Sequence, residues 1–376
     1  MASSRALLIL CFSAIVFLKI TSGQSIANVS TICLLASNSA VFVFGDSIFD
    51  SGNNNYINTI VHLLSNYQPY GQTFFKFPTG RFSDGRIIPD FIAEFAKLPL
   101  LPPYLYPGIY DDHYIYGVNF ASSGAGALAE TSQGTVIDLG TQASNFIKVS
   151  QQLKNKLGEG KAKSLISRAV FIFSLVGNDY VTPVSPTNST VVLPYPPQEM
   201  VDVVTGNITI AIQKIYKEGG RKFALMNAAP FSCFPLLRRN GSSISSCQEE
   251  EAALLARLHN HVLPQKLQKL QEQLTEIKYT VFDFYNALLQ LMKYPSNYGF
   301  QEGEVACCGG GPYRGDYSCG GKRGIEEYEL CENVNDYVYF DSVHPTEASA
   351  QHFANLMWAG TGNFTHPYNL KQLFEY

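Results

Sequence analysis

Residues 40–47 read AVFVFGDS: five apolar residues in a row, then an abrupt stop at Gly45-Asp46-Ser47. An uninterrupted apolar run that ends in a turn is the pattern of a strand buried on both faces of a parallel sheet. The same grammar recurs three times. Residues 169–176 (AVFIFSLV) stop at Gly177-Asn178-Asp179, residues 222–226 (KFALM) at Asn227-Ala228-Ala229-Pro230, and residues 279–284 (YTVFDF) at Tyr285-Asn286. Between them, residues 141–157, 198–218 and 249–278 carry apolar side chains three and four apart, as in Leu255, Leu258 and Val262, which predicts helices. Pro264 predicts a kink or a split in the last of these. Strands alternating with helices predict one α/β domain over residues 39–376, a three-layer α/β/α sandwich around a mostly parallel sheet. Ligands of such sheets bind beyond the carboxyl ends of the strands, so the polar residues at those ends are the first candidates for chemistry.

The N-terminus sets the compartment. Arg5 precedes a short apolar run at residues 6–18, and Thr21, Ser22 and Gly23 supply small residues, so residues 1–23 read as an export signal. The run is too short for a comfortable membrane span, and no later stretch is long and apolar enough for one. Residues 24–38 read as an irregular lead-in. The expected location is extracellular, with the vacuole as the alternative destination. Of the 376 residues, 46% are hydrophobic and 15% charged, which supports a large core and excludes disorder. A net charge of −4 without a basic cluster argues against nucleic acid as a partner. Most of the 22 Tyr and 25 Phe are expected in the core.

Eight cysteines are present. Cys11 lies in the export signal and Cys33 is left over in the lead-in. Cys233 and Cys247 can close a short loop, which stabilises a fold by about 3 kcal/mol in the chain-entropy view. Cys307, Cys308, Cys319 and Cys331 form a second group in a Gly-rich segment. A bond between the adjacent pair is disfavoured on geometry, and the two cross-pairings stay open. Zinc is the rival reading, but the spacings lack a C-x-x-C pair and export favours disulfides. Sequons at Asn28, Asn188, Asn207, Asn240 and Asn363 are candidates for glycosylation.

Four groups carry polar residues suited to chemistry: Gly45-Asp46-Ser47, residues 119–126 (NFASSGAG), Gly177-Asn178-Asp179, and residues 341–345 (DSVHP). Taken singly, each reads as a turn or a helix cap. In combination they resemble the GDSL family of lipases and esterases within the SGNH hydrolase superfamily, its plant branch in particular. The resemblance covers nearly the whole mature chain: residues 42–56 (FVFGDSIFDSGNNNY), 80–86 (GRFSDGR), 117–126 (GVNFASSGAG), 177–180 (GNDY) and 331–347 (CENVNDYVYFDSVHPTE). Two departures occur: GDSI stands for GDSL, and Ser123-Gly124 stands where relatives often carry Gly-Gly. The resemblance implies an SGNH/flavodoxin-like fold and an oxyanion hole from the amides of Ser47 and Gly124 with the Asn178 side chain.

The residues fit those roles chemically. Ser47 follows a buried strand and can supply a nucleophilic hydroxyl. Among the 7 His, His344 alone has an aspartate three residues upstream in a matching context, and imidazole titrates near neutrality. It is the expected general base, with Asp341 as its orienter. Pro345 and Thr346 are expected to start a terminal helix that anchors this turn. The other histidines, at 62, 113, 259, 261, 352 and 366, are expected to be solvated or structural. Asp111-Asp112-His113 reads as loop surface rather than a metal site. Asp46 and Asp50 are expected to support the nucleophile turn, and Arg81 and Asp84 receive no physical role. No metal or other cofactor is called for.

The expected activity is a secreted serine esterase or lipase that cleaves carboxylic esters through a Ser47 acyl-enzyme. The expected substrate is a small-molecule ester with an apolar or aromatic acyl group. Acyl transfer to an alcohol is the alternative, since motifs do not separate the two acceptors. An inactive secreted lipid- or glycan-binding protein is the reading from another class.

Overall fold

In a computed structural model, residues 39–109, 112–175, 177–181, 195–238, 243–248, 251–360 and 362–376 are described, and residues 40–376 form one compact unit. The export signal, the lead-in with Cys33, most of the stretch 182–197, and the sequons at Asn28, Asn188 and Asn240 lie outside the described residues. The strands in chain order are β1 (Val41–Gly45), β2 (Gly117–Asn119), β3 (Val170–Ser174), β4 (Lys222–Met226), β5 (Lys278–Phe282), β6 (Glu302–Ala306), β7 (Cys308–Gly309), β8 (Glu329–Leu330), β9 (Tyr337–Tyr339) and β10 (Thr365–His366). Six of them form the central sheet in the order β10-β5-β4-β3-β1-β2, parallel except for β10, which runs antiparallel to β5.

This order fixes where the site lies. The chain steps from β1 outward to β2, then returns across β1 to β3 and continues through β4 to β5. Right-handed crossovers therefore put the helix Ile88–Phe95 on one face of the sheet and the helices Leu139–Leu157, Pro197–Lys217 and Glu251–Gln273 on the other. The contacts agree: the latter three helices form one packed set, and Glu347–Ala359 packs on Ile88–Phe95. The direction reverses at β1, so a crevice opens at its carboxyl end. Ser47 sits there.

The apolar runs form strands because their side chains are covered on both sides. On one face, Phe42 lies beside Phe171 and Phe44 beside Phe173, with ring centroids 5.4 and 4.8 Å apart; Phe171 continues the row to Phe223 at 5.5 Å. Phe146 from the helix Leu139–Leu157 stands edge-on against Phe42 and Phe171 at 5.0 and 5.1 Å. All are buried, each contributing about 2–3 kcal/mol.

Several expectations shift. The last helical segment ends at Gln273, not at residue 278, because Glu276 takes φ 62° and Lys278 already belongs to β5. The helix is not split at Pro264, which sits within its continuous span. The strand expected at residues 279–284 is β5, which stops at Phe282, where Asp283 caps the next helix by accepting from the Asn286 amide. Strands β2 and β10, of three and two residues, were not foreseen: segments so short carry too few apolar side chains to show a period. Thr346 is the N-cap of Glu347–Ala359, where a helix was expected to start, but that helix is not the terminal one, since Leu370–Glu375 follows it. The six described cysteines pair as Cys233–Cys247, Cys307–Cys331 and Cys308–Cys319, which closes the question of cross-pairing.

Candidate active site

Ser47 is placed by the turn that ends β1. Gly45 has φ 155°, and a Cβ there would lie 2.4 Å from the Ser174 carbonyl oxygen, so only glycine lets β1 run this close to β3 as it turns. The buried carboxamide of Gln142 clamps the same residue, its Oε1 accepting from Gly45 N at 2.9 Å and its Nε2 donating to Gly45 O at 2.9 Å. Asp46 Oδ1 then accepts from Ile48 N, and Asp50 closes the turn by accepting from Gly52 N and Asn53 N, both at 2.7 Å. Both aspartates support the backbone, as expected.

Asp341 and His344 stand on the loop after β9. The loop folds back on itself, with Phe340 N donating to His344 O and Thr346 N to Val338 O. Within it, Asp341 Oδ1 accepts from Val343 N at 2.9 Å and His344 N at 2.8 Å. Three residues therefore suffice to bring the imidazole round onto the same carboxylate, with His344 Nδ1 2.8 Å from Oδ1 and 2.9 Å from Oδ2. Nε2 of the same ring is 2.8 Å from Ser47 Oγ. With Nδ1–H donated to the carboxylate, Nε2 carries the lone pair and accepts a hydrogen bond from the Ser47 hydroxyl. Burial would push the Asp341 carboxyl up, but the charges of His344 and Arg323 and the hydrogen bonds from His344 and Tyr70 hold it well below the usual carboxylate range. Asp341 is therefore ionised at neutral pH. Phe82 covers the ring, its centroid 4.5 Å from that of His344.

Glycine block and Asn178 are stitched to this turn. Ser122 N donates to Gly45 O, Ser123 N to Asp50 Oδ2, and Asn53 Nδ2 to the carbonyls of Asn119 and Ala121. Gly124 has φ 82°, a left-handed conformation that glycine adopts without strain. Among the described residues, neither the Ser47 N–H nor the Gly124 N–H has a protein acceptor. Asp179 fastens the third block by accepting from Ala127 N, Leu128 N and Thr131 Oγ1. Its neighbour Asn178 donates one amide hydrogen to Ala125 O at 2.9 Å and keeps a second for another acceptor. Polar contacts thus join four segments that are far apart in sequence.

This geometry sits on a sheet that the profile of a known family also covers. The family described as GDSL-like Lipase/Acylhydrolase matches residues 41–357. The chain belongs to this family. It is 48% identical to GDSL esterase/lipase 1 of Arabidopsis thaliana over 96% of this chain and 98% of that protein. It is likewise 48% identical to GDSL esterase/lipase 2 of the same plant, over the full length of both, and 44% identical to a GDSL lipase of Tanacetum cinerariifolium over 99% and 96%. The class that goes with this membership is carboxylic ester hydrolase.

The structure supplies roles that the motifs left blank. Arg81 makes a buried two-pronged ion pair with Asp90 at 2.8 and 2.9 Å and donates to Ser51 O, so it ties the helix Ile88–Phe95 to the loop behind Ser47. Asp84 accepts from Glu347 N at 2.7 Å and so caps the helix that follows His344; burial pushes its carboxyl up to about 6. Gln142, Tyr70 and Arg323 carried no sequence signal: a glutamine in a helix and an arginine beside lysine in a loop read as solvated surface.

Among the described residues, His344 is the histidine that hydrogen-bonds to Ser47. His62, His113, His261 and His366 are exposed and His352 is half-buried. His259 is buried with Nδ1 2.8 Å from the Tyr180 hydroxyl, and burial pushes it down to about 4. A histidine depressed in the folded state contributes stability above its unfolded value near 6.5, and that contribution is lost as pH falls towards 4. In urea titrations the wild type is therefore expected to lose about 3 kcal/mol more than His259→Gln between pH 7 and pH 4. Equal losses in the two proteins would contradict the assignment. Of the described sequons, Asn363 is exposed, whereas Asn207 is half-buried with its side-chain nitrogen donating to Ala127 O.

Proposed function

We propose that this protein is an exported serine esterase or lipase whose nucleophile is Ser47, with His344 as general base and Asp341 as its orienter. The observation that carries the reading is the unbroken hydrogen-bonded line from Ser47 Oγ through His344 to Asp341. Ser47 Oγ attacks the ester carbonyl carbon while His344 Nε2 takes its proton. Negative charge on the carbonyl oxygen is met by the amides of Ser47 and Gly124 and the second Asn178 N–H, each donor of this kind being worth roughly 100- to 1,000-fold in rate. The bond to the leaving alcohol breaks as Nε2 returns the proton to it, leaving Ser47 acylated. Water then attacks the acyl carbon, giving its proton to Nε2, and release of the acid restores Ser47.

Three disulfides and the apolar run at residues 6–18 support export of a mature domain spanning residues 39–376. No helix among the described residues is long and apolar enough to cross a membrane. Aromatic side chains exposed on the loops before and after the helix Ile88–Phe95, such as Phe74, Phe77 and Tyr106, favour an ester with an apolar or aromatic acyl group.

The test is a panel of p-nitrophenyl esters of rising acyl length, with and without added alcohol, followed by analysis of the acid and ester products. Free acid as the main product is expected, fastest for one apolar acyl size. New ester formed at the expense of acid would move the reading to acyl transfer. Folded protein that cleaves no ester in the panel would overturn it in favour of an inactive binding protein.

A further inference from the structure

Behind the Asp341 carboxylate the hydrogen-bonded line continues. The Tyr70 hydroxyl donates to Asp341 Oδ2 at 2.7 Å, and Arg323 Nη1 donates to that hydroxyl oxygen at 2.9 Å. The direction of both bonds is forced, because a guanidinium can only donate; the Tyr70 oxygen accepts from it, and the phenolic hydrogen is left for the carboxylate. Burial keeps the phenol protonated, so Tyr70 stays a donor. Tyr70 and Arg323 are 0% and 4% exposed, and Arg323 Nη2 is anchored on Leu64 O at 2.8 Å. The guanidinium lies 4.0 Å from the Tyr317 ring centroid and 5.3 to 5.6 Å from those of Tyr70, Tyr67 and Phe82.

What seats Arg323 is the segment 307–331. Its two disulfides pack with Tyr70, Phe82 and Phe340 in a small core of their own, with Tyr67 and Tyr317 against it. A buried arginine needs such a setting, since a loop free to move would carry the charge out to water. Phe82 of the same core covers the His344 ring.

We propose that Tyr70 and Arg323 are positioning residues for ester cleavage: the disulfide-bonded segment 307–331 seats the Arg323 guanidinium, which holds the Tyr70 hydroxyl against Asp341 Oδ2 and so fixes the carboxylate that orients His344. This rests on Ser47, Asp341 and His344 acting as proposed above. The line then runs Arg323–Tyr70–Asp341–His344–Ser47, and the cysteine-rich segment serves the chemistry as well as the fold.

The relay also bears on how strongly the Asp341 carboxylate can stabilise positive charge on the neighbouring ring. The charged and titratable groups facing the Asp341–His344 pair are Arg323, Tyr70, Tyr67 and Tyr317. The hydroxyl and the positive charge both draw on the carboxylate, which leaves it less able to stabilise imidazolium. Removing either frees the carboxylate to stabilise the protonated form of the reaction's base more strongly. Tyr70→Phe keeps the ring and removes only the hydroxyl, so the acid limb of its kcat/KM profile is expected to rise by about half a pH unit or more, with KM little changed. Arg323→Gln should move the limb in the same direction, and the lost orientation should lower the plateau of kcat in both variants by about tenfold.

The experiment measures pH profiles of wild type, Tyr70→Phe, Arg323→Gln and Ser47→Ala on one p-nitrophenyl ester, with near-ultraviolet circular dichroism to certify folding. A raised acid limb in folded Tyr70→Phe supports the relay. An unmoved limb and plateau in that variant overturn it, and Tyr70→Phe decides alone if Arg323→Gln does not fold. Ser47→Ala separates the two levels: an active Ser47→Ala overturns the triad itself, whereas a dead Ser47→Ala beside an unmoved Tyr70→Phe overturns only the relay.

Discussion

Ser47→Ala is expected to lose ester turnover by on the order of 10⁶-fold in kcat while keeping its fold and its melting temperature within a few degrees. The hydroxyl makes one hydrogen bond among the described residues, to His344 Nε2, and the residue is half-buried, so its removal leaves the packing intact. The turn that carries it is held by hydrogen bonds of Gly45, Gln142, Asp46 and Asp50 that do not involve the hydroxyl. A fall in kcat without loss of substrate binding is the signature of a group used only in the chemical step. Steady-state kinetics with a melting curve on the same sample check it. A variant within tenfold of wild type would show that another group makes the acyl bond.

Asp341→Asn should cost about 10⁴-fold in kcat. The carboxylate accepts at both oxygens: Val343 N, His344 N and His344 Nδ1 at Oδ1, and Tyr70 OH and Nδ1 at Oδ2. An amide can satisfy only one of these sides, because its nitrogen must donate. If the nitrogen faces Nδ1, the imidazole is driven to the tautomer with its proton on Nε2, where it cannot accept from Ser47. The charge that stabilises imidazolium is lost as well. The stability effect runs with pH in a known direction. Asp341 is held below its ordinary range, so its contribution is present above the unfolded value near 3.9 and disappears as pH falls through the lower folded value. A variant with unchanged kcat across pH 6 to 9 would contradict the role given to the carboxylate.

How far the sequence discloses this site depends on the kind of residue. AVFVF and AVFIF are legible as strands because both of their faces are buried, and an uninterrupted apolar run has few other uses. The parallel sheet follows from their alternation with helices. Strand β2 is not legible: Gly117-Val118-Asn119 has one apolar side chain, and it is held by the edge of β1 rather than by its own pattern. The end of the third long helix was misplaced because Ile277 and Tyr279 continue an apolar pattern that only the positive φ of Glu276 interrupts. Ser47, Asp341 and His344 could be picked out because each lies at a strand end or in a short motif with a local reason for its spacing. The supporting residues lacked such a reason. Gln142 reaches Gly45 across 97 positions and Tyr70 reaches Asp341 across 271, so only folding brings them together. Buried arginines are rare, so Arg323 between Lys322 and Gly324 has the look of solvated loop.

The most direct measurement is covalent labelling of the intact protein with a fluorophosphonate, followed by peptide mapping by mass spectrometry. A serine activated by a neighbouring imidazole reacts at neutral pH, whereas the other hydroxyls of the chain do not. The label is expected on the peptide containing Ser47, at one per chain, and absent from His344→Ala and from heat-unfolded protein. Label on a different residue, or folded wild-type protein left unlabelled, would contradict the assignment of Ser47 as the nucleophile.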